Sequence, residues 1–167
     1  MTNTSTAPVM NDRRHAYDPE TLPALFDGVL SRRAIAFLFD VVFIAALVAG
    51  ASVVVAILGV LTFGLGWLLY GILAPLVAIT YTALTLGGSK ASTLGMRIMG
   101  LEMRLWYGAK PYMLLALMHS LLFWFIHVAF TPLMLLVALF SKRGQLLHDM
   151  ILGSIVVDRD ALYHDQD

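Results

Sequence analysis

From Ala34 to Leu86 the chain carries a single charged residue, Asp40. No other feature limits its fold as strongly. About 20 apolar residues cross the hydrocarbon core of a bilayer, and this run is more than twice that length, so it predicts two consecutive membrane spans. The stretch Gly59-Val-Leu-Thr-Phe-Gly-Leu-Gly66 holds three glycines and supplies the turn, which gives helices over Ala34–Val60 and Trp67–Leu86. Trp67 and Tyr70 fall where an interfacial aromatic belt would place them. The remaining composition agrees: 59% of the 167 residues are hydrophobic and only 13% are charged, a balance that a water-soluble globule of this size does not show.

Basic and acidic residues number 11 each, with the acids weighted to the two ends. There is no basic stripe of the kind nucleic-acid binding needs, so the expected surroundings are the lipid bilayer and no nucleic acid. The chain has no cysteine, which excludes a disulfide framework, a thiolate metal site and a cysteine nucleophile.

Residues 1–20 are polar and aperiodic and predict a disordered tail. Leu22, Leu25, Phe26, Val29 and Leu30 then recur opposite Glu20 and Asp27, which fits either a short helix over Thr21–Leu30 lying in the headgroup plane or a plain lead-in to the first span. A twin-arginine export signal at Ser31-Arg32-Arg33 is set aside. The apolar run behind it is too long, contains an acid, and continues into a second span. The membrane domain is expected over residues 21–158, with a polar tail over 159–167.

The connection Gly87 to Pro111 carries Lys90, Arg97, Arg104 and Lys110 against one acid, Glu102, and Arg13, Arg14, Arg32 and Arg33 flank the other end of the span pair. The positive-inside rule then puts the N-terminus and this loop in the cytoplasm. A third apolar run, Tyr112 to Phe140, is interrupted by Pro132 and followed by Lys142 and Arg143. Proline breaks the helical hydrogen-bond ladder, and a single crossing would strand the two cations outside. Helix, break and helix with a cytoplasmic return is therefore preferred, and one long tilted helix is its rival. Two β-like stretches, Ile98 to Leu105 and Ser154 to Asp158, pair as strands only if both lie on one side. The predicted architecture is an all-α polytopic bundle of two full spans and a Pro-broken third segment, with a small cytoplasmic cap, a short β pair within it and a cytoplasmic C-terminus.

Three pieces of the chain together resemble the RDD family of bacterial membrane proteins, named for one arginine and two aspartates. They are Arg32-Arg33-Ala-Ile-Ala-Phe-Leu-Phe-Asp40, then Thr93-Leu-Gly95-Met-Arg97-Ile-Met-Gly100-Leu, then Lys142-Arg143-Gly-Gln145-Leu-Leu-His148-Asp149-Met-Ile-Leu-Gly153-Ser-Ile-Val-Val. Met96, Glu102 and Ser154 depart from the family pattern, where a lysine, a basic residue and a threonine are usual. The resemblance covers Leu30 to Val157. It implies a multi-span inner-membrane protein with a role in transport, monovalent cation/proton exchange being proposed for some members.

Asp40 is the leading site candidate. A carboxylate near a helix centre costs about 2.5–3.5 kcal/mol on insertion scales, so it is expected to be paired or functional. Arg33 lies on the same helix face about 10 Å away along the axis and can snorkel to the headgroups, while Lys90, Arg97, Arg143 and His148 are the cations and imidazole expected to reach Asp40 from the cytoplasmic segments. A structural buried ion pair is preferred over ion handling. In the ion-handling version, Asp40 carries charge and Arg33, Arg97, His148 and Asp149 set its protonation, with Arg32 as a secondary candidate. His119 and His127 are eight positions apart, too far around a helix to share a metal, so hydrogen bonds to neighbouring helices are expected of them and no metal or other cofactor is predicted. Thr80, Tyr81, Thr82 and Thr85 are expected to bond between helices, and Met96, Met99 and Met103 to pack. Gly87-Gly88-Ser89-Lys90 lacks P-loop spacing and reads as a turn. His148 and Asp149, as neighbours, are expected to point apart, and with no nucleophile beside them the chain is not expected to be an enzyme. Two functions follow: a transport protein that would need to oligomerise to line a pathway, or a non-transporting membrane module that holds a partner membrane protein, with Asp40 structural.

Overall fold

The computed structural model describes residues 16–125, 141 and 145–164. A 3-10 turn at Pro23–Leu25 leads into helix α1, Val29–Leu61. A second 3-10 segment, Leu65–Leu69, precedes helix α2, Tyr70–Leu86. The chain reverses at Phe63 and Gly64, both at positive φ, within the glycine-rich stretch expected to turn. Helix α1 starts earlier than the hydropathy pattern implies, because Arg32 and Arg33 add helical turns below the apolar run. At 1.5 Å per residue its length is about 50 Å, longer than the roughly 30 Å hydrocarbon core. The lead-in is a turn followed by the start of the span, so a helix over Thr21–Leu30 in the headgroup plane is not what forms.

The apolar windows of the two long helices are only 6% and 17% buried within the protein. Leu38, Val42, Val60, Leu61 and Phe63 stand largely exposed. A soluble domain buries such helices, whereas a bilayer covers them with lipid chains.

The remaining elements gather at the end where α1 begins and α2 stops. Helix α3 is Leu94–Ile98 and strand β1 is Leu101–Leu105. Helix α4 is Met113–Phe125, helix α5 Leu147–Leu152, strand β2 Ser154–Asp158 and helix α6 Arg159–His164. Strands β1 and β2 pair antiparallel from Leu101↔Asp158 to Leu105↔Ser154. The expected strand pair therefore forms, with β1 shortened to Leu101–Leu105, and it holds the loop after α2 and the C-terminal segment on one side of the spans. Pro132, and with it the question of how the third apolar run crosses, lies outside the described residues, as do the tail 1–15 and residues 165–167.

A two-stranded ribbon is marginal alone, and this one is covered on both faces. Leu101, Met103 and Val156 pack with Val29, Ala36, Leu86, Met96 and Ala116. Ile155 and Val157, pointing the other way by the period of two, pack with Tyr17, Leu25 and Leu162. Met96 and Met103 are core residues with Met99 packed against them, as expected.

Candidate functional site

Asp40 is buried where α1, α2 and α3 meet, and its partners are neutral donors. Tyr81 Oη donates to Oδ1 at 2.6 Å, the Gly95 N–H donates to Oδ1 at 2.8 Å, and Thr93 Oγ1 donates to Oδ2 at 2.6 Å. Each hydroxyl also accepts: Tyr81 from the Leu94 N–H at 3.1 Å and Thr93 from the Met96 N–H at 3.1 Å. Thr93 thus caps α3 while gripping the carboxylate. The expectation of a cation beside Asp40 is corrected among the described residues, which do not include Arg143. Arg97 turns back to the Ser92 carbonyl at 3.1 Å, Lys90 is exposed, and His148 sits in a different cluster. The loop delivers backbone and hydroxyl donors at Asp40, and these satisfy a buried carboxylate without a second buried charge.

Tyr81 makes the expected contact between helices, whereas Thr82 and Thr85 donate to Ala78 and Tyr81 carbonyls of their own helix and Thr80 is exposed. Tyr81→Phe removes one donor from Asp40 and should cost about 1.5–2 kcal/mol, read as a lower unfolding midpoint in detergent micelles.

A second cluster is built around Asp149, which is fully buried. Arg33 Nη2 donates to its Oδ2 at 2.6 Å, and the Leu146 N–H donates to the same oxygen at 3.1 Å. Asp149 stands at the third position of α5, where an acid reaches back to the cap. Its Oδ1 accepts from Ser154 Oγ at 3.2 Å and lies 3.7 Å from His119 Nδ1 and 3.5 Å from His148 Nε2. The two imidazoles meet edge to face, with centroids 4.5 Å apart. Burial alone would raise the Asp149 carboxyl, but the Arg33 charge, with smaller contributions from the two imidazoles, outweighs it and holds the pKa well below the usual carboxylate range.

Arg33, His119, His148 and Asp149 are therefore brought together from α1, α4 and α5. Arg33 does not snorkel to headgroups, because its side chain is only 13% exposed and clasps Asp149. His148 and Asp149 do not point apart: both are buried, and His148 Nε2 comes within 3.5 Å of Asp149 Oδ1. The hydrogen bond expected of His119 is not made, since its buried Nδ1 has no hydrogen-bond partner among the described residues. His127 and Arg143 lie outside the described residues.

Arg32 serves elsewhere. Its Nη2 reaches Asp158 Oδ2 at 2.6 Å and the Asp27 carbonyl at 3.0 Å, tying the end of β2 to the start of α1. Burial would raise the Asp158 carboxyl, but the Ala161 N–H and then Arg32 outweigh it and lower its pKa. A lowered folded-state pKa adds stability that is present above the unfolded value of about 3.9 and is lost as pH falls through the folded value. Asp158→Asn should therefore flatten the fall in melting temperature below about pH 4, while changing neutral stability by about 1 kcal/mol or less because the pair is partly exposed. Sequence reasoning also missed Glu102, a buried acid in β1 held by Arg104 at 2.8 Å.

One arginine and two aspartates thus anchor the end of the helices where α1 begins and α2 stops: Arg33 on Asp149, and Asp40 under the α3 loop. The model of the RDD family matches residues 28–153. The chain belongs to the RDD family. Searches among curated proteins and among solved structures find no match. The RDD match spans the start of α1 through Gly153 and includes every residue of the two clusters except Ser154. With two long apolar helices exposed along their length, this is an RDD protein of the membrane type.

Proposed function

We propose that this RDD protein moves a small cation across the bacterial inner membrane, with the cluster of Arg33, His119, His148 and Asp149 as the inner-face end of its path. One observation carries the reading: a fully buried carboxylate at the cap end of the first span keeps one oxygen on an arginine and turns the other toward two imidazoles. Ionisable groups buried inside a membrane protein are costly and are candidates for an ion pathway. Monovalent cation/proton exchange is the finer form of this reading. In it the chain is multi-pass with both termini in the cytoplasm, consistent with the cations of the Gly87–Pro111 loop, and copies of the chain associate to line the path. Asp40, already held by three donors, is a clasp and not the carrier.

The test is reconstitution in vesicles holding a pH dye, under sodium, potassium or lithium gradients. Cation-driven proton flux is expected from the native protein, lost in Asp149→Asn and retained by whatever fraction of Asp40→Asn folds. A second reading, a non-transporting module that holds a partner membrane protein, draws support from the three neutral donors that hold Asp40. Absence of flux from folded native protein in every gradient would establish that reading over transport.

A further inference from the structure

We infer that His119 Nδ1, His148 Nε2 and Asp149 Oδ1 form a binding site for a divalent transition-metal ion of the zinc type. This rests on the same site as the cation reading and gives it a divalent ion in place of the monovalent ions of that reading's finer form. The three residues come from α4 and α5, are all buried, and offer one ligand atom each within 4.8 Å of the others. Two ligands about 2.0–2.1 Å from a tetrahedral metal stand about 3.3–3.4 Å apart. The observed separations from Asp149 Oδ1, 3.7 Å and 3.5 Å, need to contract by a few tenths of an ångström, and the third separation, within 4.8 Å, by up to about 1.4 Å.

Three further facts bear on the site. His119 is 5% exposed, and its Nδ1, without a hydrogen-bond partner among the described residues, faces the carboxylate at a distance too long for a good hydrogen bond. A buried ring nitrogen without a hydrogen-bond partner is a cost that a metal ion would remove. Arg33 and the Leu146 N–H occupy Oδ2 and leave Oδ1 turned toward the imidazoles. Ser154 Oγ, the competing donor on Oδ1, has the Asp149 carbonyl at 3.5 Å as an alternative acceptor, so it can release the carboxylate oxygen by rotating. Two imidazoles and one carboxylate oxygen suit zinc and its neighbours, whereas sodium, potassium and lithium as hard ions are better served by oxygen ligands. The Arg33 guanidinium on the far oxygen weakens the site by repulsion without blocking it.

The experiment uses full-length protein without a histidine tag, in detergent micelles, titrated with zinc by calorimetry and with cobalt(II) by visible absorption. One zinc per chain is expected, with cobalt d–d bands of the intensity of a four-coordinate ion. His119→Phe, which keeps an aromatic ring in the packing, should weaken zinc at least about 100-fold, beyond the 10–100-fold typical of losing an outer-shell partner. Ser154→Ala, which frees Oδ1, should bind zinc as tightly as the native protein or more tightly. No zinc binding by the folded native protein, or affinity unchanged in folded His119→Phe, overturns the site. Should His119→Phe fail to fold, a several-fold loss of affinity in Ser154→Ala overturns it instead. Zinc flux into vesicles is scored separately: binding without any flux sinks the transport reading and leaves the metal site standing, whereas sodium-driven flux without zinc binding does the reverse.

Discussion

Arg33→Met is expected to destabilise the protein by about 3–5 kcal/mol, the loss found when one partner of a buried ion pair is removed. Asp149 is wholly inaccessible, and its Oδ2 depends on Arg33 at 2.6 Å. Without the guanidinium, the carboxylate keeps only the Leu146 N–H and the Ser154 hydroxyl as neutral donors. Unfolding in micelles should therefore move down by about 10 °C. The penalty lies in the stranded charge, so Arg33→Met combined with Asp149→Asn should recover most of the loss. A double variant as unstable as the single one would show that Arg33 acts by packing and not by charge.

Gly95→Ala is expected to cost about 3 kcal/mol or more, although it adds one methyl group. A Cβ at this position would collide with the Ala36 carbonyl oxygen and lie 2.9 Å from Asp40 Cγ. Backbone cannot yield as a flexible side chain does. The α3 loop would have to lift away from α1, and the bonds from Gly95 and Thr93 to the carboxylate would lengthen with it. Gly71, beside which a Cβ meets nothing within 4 Å, is the control, and Gly71→Ala should be close to neutral. Similar melting points for the two variants would remove the close approach at Gly95 from the account of the cap.

Much of this architecture can be read without coordinates, because hydropathy and period are local properties. Two long apolar helices follow from the lone charge between Ala34 and Leu86, the reversal from the glycines after Val60, and the strand pair from the patterns around Met103 and Val156. The methionines at 96, 99 and 103 have the spacing of packing residues and do pack. The partners of the charged groups are a different matter. Asp40 invites a search for cations because charge seeks charge, yet a buried carboxylate is served as well by hydroxyl and amide donors. Thr93 carried a signal that could have been used, since a threonine just before a helical turn is a capping residue whose hydroxyl hydrogen remains free to donate. Tyr81 had a weaker one, a phenol among apolar neighbours near the end of an apolar helix.

By itself the sequence determined that this chain lives in a bilayer, where its helices run, and that Arg33, Asp40, His148 and Asp149 deserve attention, because each of those conclusions depends on residue type and near neighbours. Tertiary structure alone decided which of them meet. The fold of the α3 loop over α1 gives Asp40 to Tyr81, Thr93 and Gly95, and the packing of α5 beneath α1 and α4 gives Asp149 to Arg33 and sets His119 beside His148. Such pairings are contacts across long sequence separations, chosen by the shape of the cap and by which donors can reach a carboxylate once water is gone.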